Sequence, residues 1–170
     1  MGLFNNIENN FNIKNTNYDE FVAFLKDNNW KIELNNDNYK STELEKRYKN
    51  ISIEWIDFIK QYSKIENEEQ TIWFLCFRDF DNTNTPFHYK EFELISLESA
   101  DENSKEDIIK YWNENLPIIL SVKNGYEYYA LNLINGNIVH GFEPEFEYPE
   151  IIANSFKEFI TKILKKEIMI

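Results

Sequence analysis

Three glutamates alternate with bulkier residues in Glu143-Pro144-Glu145-Phe146-Glu147-Tyr148-Pro149, and Glu150 follows at once. In an extended backbone alternate side chains share a face, so Glu143, Glu145 and Glu147 are expected to stand together as a row of carboxylates. Such a row can meet a basic partner, hold a divalent cation, or act as a solvated acidic edge that discourages strand pairing. The partner-binding reading takes Phe146 and Tyr148 as ring anchors between the charges, because aromatic residues are favoured at interface centres. Pro144 and Pro149 pre-order the segment, so less entropy is lost on binding. A second acidic pair, Asp79 and Asp81, lies in the polar stretch Asp79–Thr85 after an apolar run. Loops at strand ends often carry binding function, and this pair joins the site if the fold brings it near. The cation reading would make the chain a carboxylate-based hydrolase, but no loop of alternating Asp and Asn ligands surrounds the glutamates.

Other chemistry is thinly supported. The only histidines are His88 and His140, and the only cysteine is Cys76. Zinc prefers several Cys or His ligands, so this set predicts no metal centre. Cys76 lies inside an apolar run, where a buried thiol is inert. There is no Gly-x-Ser-x-Gly nucleophile elbow and no Gly-rich phosphate loop. The reading is of a protein without catalysis and without a cofactor.

The chain has 170 residues, 18 basic against 30 acidic side chains, a net charge of −12, and 16% aromatic residues. That length can bury a sizeable core, and the aromatic content argues for folding. The charge disfavours nucleic acid and anionic lipid and attracts basic partners. A lone cysteine fits a reducing cytoplasm. No signal peptide and no run of 18 apolar residues is visible, so neither export nor a membrane span is expected.

The elements that must position these residues follow from periodicity. Asn124-Gly125 and Asn135-Gly136 each separate β-prone runs, a strong hairpin signal that in its two-residue form needs positive φ at both positions. Ile118–Lys123, Tyr126–Leu133 and Asn137–Phe142 therefore read as three antiparallel strands. Thr71–Phe77 reads as a central strand covered on both faces, and Trp30–Leu34 as a short edge strand. Tyr18, Phe21, Val22 and Leu25 recur at helical spacing, with Asn17 as cap. Further helices are expected at Glu43–Lys49 after Thr42, from Ser52 through Trp55, Phe58, Ile59 and Tyr62, and from Ser104 with Ile108, Ile109 and Trp112 inward. The last helix follows Ser155, with Glu158 completing a capping box and Phe156, Phe159, Ile160, Ile163 and Leu164 on its buried stripe. Pro117 stops the preceding helix. Residues 1–17 either fray as an extension or pack a short turn through Phe4, Ile7 and Phe11; 87–100 receives no assignment. The fold class is α+β: one domain over 1–170, with a central, mainly antiparallel sheet, a C-terminal meander and several flanking helices.

The chain resembles the SUKH superfamily, which includes the yeast cell-wall-assembly regulators of the Smi/Knr type. The resemblance is carried by Tyr128-Tyr129-Ala130-Leu131-Asn132-Leu133, the turn at Gly136, the strand Ile138-Val139-His140-Gly141, and Ile152 to Phe159. Gly141 to Glu147 is similar to the Firmicute branch. Arg47-Tyr48 and Trp55–Tyr62 match two family helices, whereas Ile51-Ser52 stands where Leu-Pro is usual and Ser63-Lys64 where Asn-Gly is usual. Many bacterial members are immunity proteins that neutralise a polymorphic toxin, often a nuclease. The resemblance thus implies a cytoplasmic binder of a cognate, basic toxin domain. Its alternative is a regulatory or interaction scaffold of the yeast type.

Overall fold

The β-prone runs become seven strands in one sheet: β1 (Lys31–Leu34), β2 (Tyr62–Glu66), β3 (Ile72–Phe74), β4 (Asn115–Ser121), β5 (Glu127–Asn132), β6 (Ile138–Phe142) and β7 (Glu150–Ala153). Their spatial order is their chain order, and every pair is antiparallel. This computed structural model describes residues 18–82, 84–85 and 87–170. The expectations for 1–17, including the Asn17 cap, lie outside the described residues.

Seven helices accompany the sheet among the described residues: α1 (18–27), α2 (Thr42–Arg47), α3 (Ile53–Ile59), α4 (Phe77–Asp81), α5 (Glu91–Ser99), α6 (Lys105–Glu114) and α7 (Phe156–Leu164). The register explains how they divide. One row runs across the whole sheet through Ile32, Ile65, Phe74, Ile119, Tyr129, His140 and Glu150. Phe21 of α1 and Phe58 of α3 meet Phe74 in this row, and Phe159 of α7 meets Tyr129. The adjacent row, Trp73, Leu120, Tyr128 and Gly141, faces the other way. Phe92 of α5 and Trp112 of α6 pack on its Tyr128. With helices on both faces, β4 is buried at all seven positions, as a strand inside a two-sided sheet must be. The α+β class is therefore shown.

The helix caps follow local chemistry. Ser155 Oγ accepts from the Glu158 N–H at 3.1 Å, and Glu158 reaches back to the Asn154 N–H at 2.9 Å. Those N–H and amide donors, with Lys162, hold the Glu158 carboxyl down at about 2. Ser41, not Thr42, caps α2, accepting from Leu44 N–H at 3.0 Å. Ser52 and Ser104 occupy cap positions, but neither hydroxyl accepts from a helix N–H; that of Ser104 donates to Asp101 Oδ1 at 2.9 Å.

Several sequence expectations need correction. Thr71–Phe77 yields only a three-residue strand, because Cys76 stands at a helix start and Asp79 closes back on its N–H at 2.7 Å. Tyr62 belongs to β2 rather than to the α3 stripe. Ile109 is 43% exposed rather than inward; Ile108 and Trp112 take the buried stripe of α6. Pro117 sits within β4, next to a register shift before Ile119 that accommodates its missing N–H. Both Asn-Gly pairs do lie in connections, but only Gly125 and Gly136 have positive φ, not the asparagines before them. The reason for the second is visible: Asn132 Oδ1 accepts from the N–H groups of Ile134 and Asn135, organising a five-residue loop.

Candidate functional site

The acidic run does not stay extended. After β6 the chain turns at 143–144 and again at 146–147, and only at Glu150 does it regain strand geometry as β7. The Glu143–Pro144 peptide is cis. Glu143 N–H donates to Tyr126 O at 2.9 Å, and Tyr148 N–H donates to Glu145 O at 3.2 Å. The premise of one carboxylate row on an extended segment is thereby overturned. The driving force is apolar: Phe146 is only 2% exposed and stacks on Phe92 at 4.8 Å between centroids. Burying that ring pulls the backbone inward and bends the segment around it.

This burial also corrects the role expected for Phe146. It is an internal anchor of the loop rather than a ring offered to a partner. The Tyr128 hydroxyl donates to Phe146 O, and the Tyr111 hydroxyl meets that of Tyr128. Trp112 Nε1–H donates to Glu147 Oε1 at 3.0 Å. Glu147 is thus half-buried and structurally engaged, while Glu143, Glu145 and Glu150 are exposed. Tyr148, at 81% exposure, is the ring left outside.

Asp79 and Asp81 lie on α4, not in a loop, and both carboxylates are engaged within the fold. Asp79 accepts from Cys76 N–H, and burial pushes its carboxyl up to about 6. Asp81 caps a helix distant in sequence: Oδ1 accepts from Glu43 N–H at 2.9 Å, and Oδ2 accepts from Thr42 N–H at 3.2 Å and from the Tyr39 hydroxyl at 2.8 Å. Burial opposes its ionisation, but these donors hold the carboxyl below the usual range. No hydrogen bond, ion pair or ring contact among the described residues joins either aspartate to the 143–150 segment.

Two constellations escaped the sequence reading. Arg47 grips Glu93 with two bonds of 2.7 and 2.9 Å, at side-chain exposures of 11% and 10%, and Arg47 Nε–H donates to Asn113. The pair ties α2 to α5, and the absence of any assignment for 87–100 concealed it. On the sheet, Ser121 Oγ–H donates to Glu127 Oε1 at 2.9 Å, and the His140 ring meets Glu127 Oε2 through Nε2 at 3.0 Å. Here the carboxylate stands between serine and imidazole. The imidazole has no contact with the hydroxyl, so the trio lacks the order that activates a serine nucleophile. Among the described residues no three His, Cys, Asp or Glu side chains gather as a metal site would require. Burial pushes the Cys76 thiol well up, away from the reactive thiolate. No described helix is long and apolar enough to cross a membrane.

No family model matches the chain, and no curated protein does.

Proposed function

We propose that this chain is a SUKH-type immunity protein that binds and blocks a cognate basic toxin domain, often a nuclease in that family, and performs no catalysis itself. The observation that carries the reading is the pairing of exposed Glu143 and Glu145 with a loop pinned from beneath by Phe146 and Glu147. A pinned acidic loop on a chain of net charge −12 is preorganised for a basic surface. Long-range attraction can raise association rates by about tenfold to a thousandfold, most at low salt. The resemblance in 128–159 supplies the class of partner, and the cytoplasm is where such a protein would act.

The experiment is co-expression. Toxin-like domains from the source genome, each lethal when produced alone, are expressed with and without this protein. Rescue by at least one supports the reading. No rescue by any of them removes it in favour of a scaffold for endogenous partners, the yeast-regulator alternative.

A further inference from the structure

On the α7-side face of the sheet Phe159 of α7 packs on Tyr129, and beyond it lies an edge strip, Phe142 and Glu150, that stays exposed among the described residues. Two neighbouring rows, buried at Ile72, Ser121 and Tyr129, lead out to this strip. One is Ile72, Ser121, Glu127 and Phe142; the other ends in Tyr129, His140 and Glu150. The pairing of His140 with Glu150 brings the end of the acidic loop, with exposed Tyr148 two residues earlier in the chain, to the edge of this strip. Phe142 is 52% exposed, at the end of a strand whose other apolar residues are buried. Its ring lies 5.7 Å from His140, which stacks on Tyr129 at 4.5 Å. A recess of about 150 Å³ opens beside it, lined by Ser121, Glu127, Tyr129 and Met169, with Lys123 also at its wall. Glu143 overhangs the Gly125 turn nearby, its Oε1 3.2 Å from where a Cβ on Gly125 would stand.

An accessible ring backed by a packed aromatic column, rimmed by Glu127, Glu143 and Glu150, has the anatomy of an interface hot spot. Its charge and its π-face select the same occupant. A guanidinium can lie on the ring while its N–H groups reach carboxylates, which an aliphatic or anionic side chain cannot do. We propose that this strip, centred on Phe142, is the docking surface for an arginine-bearing segment of a protein partner. The inference rests on the chain being a binder of a basic protein, and it moves the centre of recognition from the loop glutamates to the sheet face beside them.

The test is an NMR titration of the full chain with a hexa-arginine peptide and, separately, hexa-lysine. Shift changes should concentrate at 127, 140, 142, 148 and 150, with hexa-lysine binding more weakly. Phe142→Ala should weaken hexa-arginine binding about tenfold, as expected for loss of a partly desolvated cation–π contact. Glu150→Lys should also weaken it, and both variants should retain the wild-type melting temperature because both side chains are exposed. Shifts centred on the acidic end of α5 and the connection after it (Glu98, Asp101, Glu102), or affinity unchanged in both variants, would overturn the proposal. The co-expression assay separates the two ideas. Rescue that survives both substitutions sinks this surface and leaves immunity standing, whereas failure of wild-type rescue strikes the immunity reading alone.

Discussion

Tyr128 and Gly141 face each other across β5 and β6, and a Cβ on Gly141 would stand 2.5 Å from Cε1, Cζ and Oη of the tyrosine ring. The glycine is required by space rather than by φ. The ring that fills the space is the one whose hydroxyl holds Phe146 O, so the pair links the sheet to the acidic loop. Gly141→Ala should destabilise by about 1–3 kcal/mol through overpacking. For a chain of this size that is a fall in melting temperature of about 2–12 °C. Thermal unfolding followed by circular dichroism checks it, and a melting temperature equal to wild type would show that Tyr128 moves aside without penalty.

The glutamates of the loop should separate into two kinds. Glu147 accepts from a mostly buried indole N–H, whereas Glu143 and Glu145 point to solvent. Glu147→Lys should cost about 1–3 kcal/mol, because the Trp112 donor is left unpaired and a cation is placed beside it. Glu143→Lys and Glu145→Lys should leave urea midpoints nearly unchanged while slowing association with a basic partner at low salt. Stopped-flow association over a salt series reads the second half. Identical rates across the series would show that the two exposed charges play no part in steering.

How much of this was legible in advance depended on whether a residue's fate was set locally. The α7 stripe and the Ser155 cap are local patterns, and Phe156, Phe159, Ile160 and Ile163 are buried as their spacing required. The meander strands are likewise local, and β1 stands at the sheet edge as read. Asp81 was opaque because its donors, Glu43 N–H and Thr42 N–H, come from 38 and 39 residues away. Phe146 was misread because alternation with glutamate imitates a strand, while its true partner, Phe92, lies on a helix the pattern did not reveal. That helix buries both Phe92 and Glu93, a charged residue that weakens any apolar periodicity. Strand β7 was hidden by its composition: its first residue is charged and Ile151 faces solvent, as an edge strand permits. The Ile152 carbonyl, at the irregular step of the β6–β7 register, accepts from Lys162 Nζ at 2.8 Å, which ties this edge strand to α7.

The Arg47–Glu93 clasp gives a third expectation. Each member is desolvated, so removing one strands the other as an unpaired buried charge. Glu93→Ala should cost about 3–5 kcal/mol, and Arg47→Met a similar amount. The double variant Arg47→Met with Glu93→Leu should cost much less than the sum, because no charge is left without its partner. A double-mutant cycle in guanidinium chloride measures this directly. Additive losses would mean that solvent reaches the pair and that its coupling is that of a surface bridge.

Asp79 and Glu158 should shape stability against pH in opposite senses. Glu158 has a folded value of about 2, below its unfolded one, so its contribution is present above about 4.5 and is lost as pH falls toward 2. Asp79 has a folded value of about 6, above its unfolded value of 3.8, because burial opposes its charge. Between those two values the folded state binds more protons than the unfolded state, so stability declines as pH rises from about 4 to 6 and is level beyond. The full decline is about 3 kcal/mol if Asp79 acts alone, since a tenfold change in proton affinity is worth about 1.4 kcal/mol. Asp79→Asn keeps an oxygen able to accept from Cys76 N–H but cannot ionise. Its stability curve should therefore lose the decline between pH 4 and 6 and gain on wild type at pH 7, while the acid-side loss owed to Glu158 persists. Urea denaturation of both proteins at pH 3, 4, 5, 6 and 7 provides the comparison. Parallel curves from pH 4 to 6 would show that the Asp79 carboxylate is charged throughout, held by the α4 N-terminus and the Cys76 amide strongly enough to offset its burial.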